Sequence, residues 1–147
     1  MIWKYGDIID SGANVIYVPV NCVGTMGAGL AKQVALAYPE VEAEYKTLCR
    51  LGLIYPKGPL HGYVISQQPY KQFMFAPTKY HWRNKASYVY VQHIIEDVAD
   101  SAQTNYGMVF AVPALGCGLG GLKWDHVFRI MQDSLRNFDN VWVYGPR

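Results

Sequence analysis

Two glycine-rich loops, each lying between an apolar segment and a helical pattern, contain the residues best suited to bind a ligand. The first loop covers residues 21–29 after the apolar segment 14–20, and the second covers residues 115–122 after the segment 108–114. Glycine lets backbone N–H groups approach an anion closely, and the N-terminus of a helix adds positive electrostatic potential. Each unit therefore suits a phosphate. Two of them predict a ligand with two phosphates, or with a phosphate and a sugar.

The segments around these loops predict strands that alternate with helices. We expect strands at residues 2–5, 14–20, 62–67, 73–76, 108–114 and 141–144, and helices at residues 28–38, 41–51, 88–103 and 124–136. The continuous apolar run 14–20 is typical of a strand buried on both faces. The alternation predicts an α/β sandwich with a largely parallel central sheet, in which segments 62–67 and 73–76 pair as a hairpin. Ligands bind such sheets outside the carboxyl ends of the strands, where both loops lie.

The composition narrows the functional classes. With 147 residues, of which 51% are hydrophobic, the chain fits a single folded domain over residues 1–147. A net charge of +2 is too small to bind nucleic acid through overall charge. Cys22, Cys49 and Cys117 form neither a metal-ligand spacing nor a disulfide framework, so we expect no metal. No signal peptide follows Met1, and no apolar run reaches the ~18–20 residues of a membrane span, so we expect a cytoplasmic protein without membrane contact.

Three motifs distinguish this chain from the common nucleotide-binding folds. Neither loop combines the dinucleotide fingerprint GxGxxG with its following acidic residue, and neither ends in the GKS or GKT of a P-loop. Instead the chain has GDII at residues 6–9, MGAGLA at 26–31 and PALGCGLGGLKW at 113–124. Together these motifs resemble the macrodomain family over essentially the whole chain. The segment APTKYHWR at 76–83 is particularly similar to the DarG antitoxins, which share a branch of the family with terminal ADP-ribose glycohydrolase.

The resemblance implies a three-layer α/β/α fold with a mixed central sheet and a pocket for ADP-ribose, without a cofactor. At the adenine end, Asp7 would hydrogen-bond the amino group, with the Ile8 backbone beside it, and Tyr144 would flank the ring. The first loop would surround the distal ribose and a phosphate. Its matching residues are Asn21, Met26, Gly27, Ala28 and Gly29. The second loop would hold the diphosphate through backbone N–H groups. Its matching residues are Gly116, Cys117, Gly118, Leu119 and Gly120.

Lys79 is the residue that the resemblance assigns to catalysis. As a neutral amine it would attack the anomeric carbon of the distal ribose, which desolvation favours and a nearby diphosphate opposes. As a cation it would stabilise the leaving group or orient the substrate. The terminal glycohydrolase also uses an aspartate, and this chain has Gly120 at that position. Asp125 comes five residues later, where we expect it to cap a helix.

A basic and aromatic segment follows Lys79. Tyr80, His81, Trp82 and Arg83, with Lys85 just beyond, form a mixture that can stack on bases and contact phosphates of single-stranded nucleic acid. The alternative is that Trp82 packs into the core and anchors the loop. Similarity to the DarG antitoxins favours the first interpretation, because those proteins remove ADP-ribose from thymidine in DNA.

The function that these expectations favour is hydrolysis of the bond between ADP-ribose and an acceptor, either a nucleic-acid base or a protein side chain. A monomer would suffice for this reaction. Two alternatives remain open from the sequence. One is removal of phosphate from ADP-ribose 1″-phosphate. The other is a non-catalytic module that binds ADP-ribose or a related nucleotide derived from NAD, which the glycine at position 120 supports.

Overall fold

A six-stranded sheet runs through the computed structural model, which describes residues 1–146. The strands are β1 (Ile2–Lys4), β2 (Val15–Val20), β3 (His61–Gln67), β4 (Tyr70–Pro77), β5 (Phe110–Val112) and β6 (Val141–Tyr144). The helices are α1 (Gly29–Ala37), α2 (Pro39–Arg50), α3 (Tyr88–Thr104) and α4 (Trp124–Leu135). The strand order is β1-β6-β5-β2-β4-β3. All neighbours pair in parallel except β3 and β4, so the expectation of a mixed, largely parallel sheet is confirmed.

Alternate residues of the central strand β2 face the two helical layers. Ile16 and Val18 pack into a core cluster with residues of α1 and α2. Val15 and Tyr17 pack into a second cluster with residues of α3 and α4. This alternation follows from the two-residue period of a strand, and it explains why the segment is apolar throughout. The expected three layers are therefore present.

The beginnings of α2 and α4 each depart from the sequence expectation in one respect. Helix α2 begins at Pro39, two residues earlier than expected, because proline lacks an N–H group and suits the first helical position. Helix α4 is preceded by Lys123, and no described side chain caps it. Asp125 lies inside the first turn of α4, so the cap expected there is wrong. A carboxylate at that position still interacts favourably with the helix dipole.

No helix within residues 1–146 combines the length and the apolar character that crossing a membrane requires.

Asn14 ties together the amino ends of three neighbouring strands. Its Oδ1 accepts a hydrogen bond from Val109 N at 2.8 Å, just before β5, and its Nδ2 donates to Tyr70 O at 3.3 Å, at the start of β4. Its backbone N–H donates to Val109 O at 3.0 Å. Because Val109 is held by Asn14, the regular ladder of β5 begins at Phe110 rather than at residue 108.

Replacing Asn14 with alanine is expected to destabilise the fold by ~1–3 kcal/mol, because the partly buried Val109 N–H would lose its acceptor. Urea denaturation measures the change. Asn105→Ala is the matched control, since its exposed amide makes a local hydrogen bond to Ser101 O, and we expect a change within ~0.5 kcal/mol. Equal losses in the two variants would contradict a role for Asn14 in joining the strands.

Candidate functional site

A cavity of about 860 Å³ lies at the edge of the sheet where the parallel strands end. Its wall includes Lys4 at the end of β1, Val20 at the end of β2, Tyr144 at the end of β6, and residues that follow β4 and β5. This is the edge at which open α/β sheets bind ligands. A volume of this size is ample for a small-molecule ligand.

The first glycine loop is held in shape by the buried side chain of Asn21. Its Oδ1 accepts hydrogen bonds from Val23 N at 3.0 Å and from Thr25 N at 3.3 Å, and its Nδ2 donates to Thr25 O at 2.8 Å. The hydroxyl of Tyr45, from α2, lies 2.8 Å from both the backbone oxygen and Oδ1 of Asn21. The loop is thus organised by one side chain at its base.

The start of α1 faces the cavity. Gly27, Ala28, Gly29 and Leu30 line it, and Gly29 adopts a positive φ of 57° that an L side chain rarely adopts. Among the described residues, no side chain caps α1. The N–H groups of its first turn have no partner within the helix, so they add hydrogen-bond donors and positive potential to this wall.

The second glycine loop turns its backbone toward the same cavity. The N–H groups of Cys117, Gly121 and Leu122 are used within the loop region. They donate to Ala114 O at 3.2 Å, Gly118 O at 3.1 Å and Gly116 O at 2.9 Å, respectively. Within residues 1–146, the N–H groups of Gly118, Leu119 and Gly120 have no intramolecular acceptor. These N–H groups are available to an anion. The two loops therefore form two backbone cradles in one cavity, as the sequence predicts.

Lys79 lies half-buried in the cavity wall, directly after β4. Thr78 N donates to Val20 O at 3.1 Å, and Cys22 N donates to Tyr80 O at 2.7 Å, so the backbone on the two sides of Lys79 is fixed to the end of β2 and to the first loop. Within the described part of the chain, the Lys79 amine has no hydrogen bond or ion pair. Among the same residues, no carboxylate or imidazole lines the cavity. The amine therefore faces a wall that offers it no anionic partner.

Cys117 also lines the cavity, but it is a poor nucleophile. Burial raises the pKa of its thiol to about 11. At neutral pH the group is therefore a protonated thiol, and thiolate chemistry is disfavoured. Within residues 1–146, no cluster of three or more histidine, cysteine, aspartate or glutamate side chains is arranged to hold a metal ion.

Twelve of the residues predicted for the site line the cavity. They are Ile8, Asn21, Gly27, Ala28, Gly29, Lys79, Gly116, Cys117, Gly118, Leu119, Gly120 and Tyr144. Met26 is instead buried in the core cluster on the α1 and α2 side, because its apolar side chain turns away from the loop surface. Asp7 lies at the exposed surface beside the wall, where its Oδ1 accepts a hydrogen bond from Ile9 N at 2.9 Å.

The wall also contains residues that the sequence analysis missed. Trp3 and Tyr5 lie at the end of β1, next to Gly6 in the cavity wall, and Gln33 lies one turn along α1 from Gly29. Two features of the sequence could have indicated these residues. The carboxyl end of the first predicted strand points to Trp3 and Tyr5, and the four-residue spacing of a helix points to Gln33.

Trp82 lies in the cavity wall, and 47% of its surface is exposed. The alternative that it packs into the core is therefore wrong. The Arg83 guanidinium lies 4.7 Å from the centre of its ring, and the His81 ring lies 5.2 Å away at an angle of 30°. Asn84 closes this turn by accepting a hydrogen bond from His81 N at 2.9 Å. The segment thus presents a partly exposed aromatic ring and a neighbouring cation in the wall that Lys79 also lines.

A comparison with protein families identifies the fold. The Macro domain model matches residues 18–131, which include both glycine loops and Lys79. The chain belongs to the macrodomain family.

Similar proteins are found among the DarG proteins of bacteria. This macrodomain is 33% identical to a DNA ADP-ribosyl glycohydrolase of Thermus aquaticus over 96% of this chain and 40% of that protein. It therefore spans about two fifths of the length of the curated relatives that it matches.

Solved structures agree with this assignment. The macrodomain of Mycobacterium tuberculosis DarG is 28% identical, with a TM-score of 0.88 over 99% of this chain and 97% of that one. Thermosipho africanus DarTG, solved in complex with ADP-ribose, is 30% identical, with a TM-score of 0.86 over 98% of this chain and 41% of that one.

Gly120, the position at which the sequence analysis expects an aspartate in the terminal ADP-ribose glycohydrolase, has no room for a side chain. A Cβ atom there would lie 2.7 Å from Ala86 Cβ and 2.7 Å from Gly116 O. Gly120→Asp is therefore expected to destabilise this macrodomain by ~1–3 kcal/mol, measured by thermal unfolding. Gly118→Asp is the control for stability, because a Cβ there meets nothing within 4 Å. A Gly120→Asp variant as stable as the wild type would contradict this steric explanation.

Proposed function

We propose that this macrodomain binds ADP-ribose and hydrolyses the glycosidic bond that joins ADP-ribose to an acceptor. One observation carries the proposal: a single cavity combines two backbone cradles for phosphate with the unpaired amine of Lys79. The names of the relatives support it, since they are called DNA ADP-ribosyl glycohydrolases. The DarTG structure that contains ADP-ribose supports the choice of ligand.

In this proposal the two loops hold the diphosphate and the distal ribose. Gly118, Leu119 and Gly120 donate backbone N–H groups to the diphosphate, and the first loop surrounds the ribose. Adenine lies at the opposite end, against Tyr144 and the Ile8 backbone. The Asp7 carboxylate accepts a hydrogen bond from the adenine amino group, and Met26 packs under the first loop from the core. The backbone supplies most of the donors, which is consistent with a net charge of +2.

Lys79 supplies the chemistry in this proposal, by one of two routes. In the first route its amine forms a bond to the anomeric carbon, the acceptor leaves, and water then releases ADP-ribose. In the second route its charge stabilises the departing acceptor while water attacks directly. Lys79→Arg distinguishes the routes, because arginine keeps the positive charge but stays protonated and cannot act as an amine nucleophile.

The acceptor that we propose is a base in single-stranded nucleic acid. The partly exposed ring of Trp82 provides a stacking surface in the same wall as Lys79, and the Arg83 guanidinium beside that ring provides a cation for a backbone phosphate. Tyr80 and His81 extend this surface. The free cysteines Cys22, Cys49 and Cys117 support a reducing compartment such as the cytoplasm.

A second candidate function is binding without turnover. The steric exclusion of a side chain at position 120 favours this alternative. The carboxylate that we expect in the terminal ADP-ribose glycohydrolase has no room at this position. Under this alternative the two loops bind ADP-ribose, and Lys79 contributes affinity only. Calorimetry with ADP-ribose and a hydrolysis assay on ADP-ribosylated DNA, made on the same preparation, separate the two functions.

Lys79→Ala is expected to lower the rate of ADP-ribose release by ~10²-fold or more, because it removes the group that acts at the anomeric carbon. The affinity for ADP-ribose should change little, since the backbone cradles remain. Release from ADP-ribosylated DNA and calorimetry measure the two effects. Lys32→Ala, which removes an exposed lysine of α1, is the control. Undiminished release by the Lys79 variant would refute the catalytic assignment.

Trp82→Ala is expected to raise KM for an ADP-ribosylated oligonucleotide by ~5- to 100-fold, because one stacked base is lost. The Kd for free ADP-ribose should stay close to the wild-type value. Steady-state kinetics with the oligonucleotide measures the first quantity. Tyr106→Ala is the control, since this tyrosine is 85% exposed in the turn after α3. The same KM in both variants would rule out stacking on Trp82.

A further inference from the structure

Tyr45 of α2 is fully buried, yet its hydroxyl reaches the base of the first glycine loop. Its ring packs against Phe75 of β4, with ring centres 5.4 Å apart. The hydroxyl lies 2.8 Å from both Asn21 O and Asn21 Oδ1. Burial raises the pKa of Tyr45, so the hydroxyl stays a protonated donor at neutral pH. Packing alone would need only the ring, so the hydroxyl has a role beyond filling the core.

Cys49, one helical turn after Tyr45, contacts the same loop. Its Cβ atom would lie 3.8 Å from a Cβ built at Gly24, so Cys49 packs beside the Gly24 backbone. Gly24 has a positive φ of 85°, a conformation that an L side chain rarely adopts. Helix α2 therefore holds the loop from the side opposite the cavity, at Asn21 and at Gly24.

The same part of the loop also holds the segment that carries Lys79. Cys22, which follows Asn21, donates its N–H to Tyr80 O at 2.7 Å. Its thiol donates to Lys79 O at 3.6 Å. A displacement of Asn21 would therefore move the ligand loop and the Lys79 backbone together.

We propose that Tyr45 is a positioning residue, which sets both the loop that contacts the ligand and the backbone of Lys79 through its hydrogen bonds to Asn21. This inference rests on the proposed function, since it takes the first loop to contact ADP-ribose. The hydroxyl exchanges no proton with the substrate and touches no reacting atom. It acts by limiting the conformations of residues 21–25.

The chain offers a matched control in Tyr17 of β2. Tyr17 is also fully buried, and its hydroxyl donates a hydrogen bond to Asp97 Oδ2 of α3 at 2.9 Å. It packs in the other core cluster, on the α3 and α4 side of the sheet. Tyr17→Phe and Tyr45→Phe therefore delete the same atom from equally buried rings, but only the second deletion touches the first loop.

Both variants are expected to unfold at a lower temperature than the wild type, because each loses one buried hydrogen bond. Tyr45→Phe alone should weaken binding of ADP-ribose by about three- to tenfold and lower kcat, measured at a temperature where both variants are folded. Amide hydrogen exchange provides a local readout, since Val23 N and Thr25 N donate to Asn21 Oδ1. These two amides should exchange faster in Tyr45→Phe and at the wild-type rate in Tyr17→Phe.

Two further variants test whether the effect passes through the loop. In an Asn21→Ala background, Tyr45→Phe should weaken binding by less than it does alone, because one of its two acceptors is already gone. Cys49→Ala removes the second contact of α2 with the loop and should also weaken binding of ADP-ribose. This variant replaces Tyr45→Phe in the test if Tyr45→Phe folds poorly.

Equal Kd, kcat and exchange rates in Tyr45→Phe and Tyr17→Phe would overturn this inference and leave the proposed function standing. Fully additive effects of Tyr45→Phe and Asn21→Ala would overturn it as well. A wild-type protein that binds no ADP-ribose would overturn the proposed function and this inference together. Calorimetry on the wild type therefore comes first and distinguishes the two failures.

Discussion

The cavity depends on the parallel alignment of the strands β1, β6, β5, β2 and β4, because parallel strands bring their carboxyl ends to one edge of the sheet. That edge is where the chain must leave each strand and turn toward a helix. In an antiparallel sheet, neighbouring strands would end at opposite edges, and the two glycine loops would lie apart. The alignment therefore brings together loops that are almost a hundred residues apart along the chain.

Under the proposed function, a second constraint is that the cavity must attract anions in a chain with little net charge. Lys4 and Lys79 are the lysines in the described wall, and the Lys4 amine lies 4.3 Å from the ring centre of Trp142. The remaining attraction comes from N–H groups that the folded backbone leaves unpaired, and these keep their positions without the entropy cost of ordering long side chains. In the proposed function, such a wall recognises the shape of a diphosphate as well as its charge.

The sequence predicted most elements because each has a simple local cause, such as the period of an amphipathic helix or a proline at a helix end. It predicted the glycine loops for the same reason. It could not predict that Asn14 binds Val109 just before β5, because that contact joins residues far apart in the chain. Nor could it decide whether Trp82 is buried, since tryptophan serves both in cores and on binding surfaces. Tyr45 was overlooked because a tyrosine in an amphipathic helix pattern looks like ordinary core packing.

The close packing around Gly120 has an evolutionary consequence. The obstacles to a side chain there are Ala86 Cβ and the backbone oxygen of Gly116, and a change of Ala86 to glycine would remove only the first. A descendant of this chain could therefore acquire an acidic group at position 120 only together with a rearranged loop.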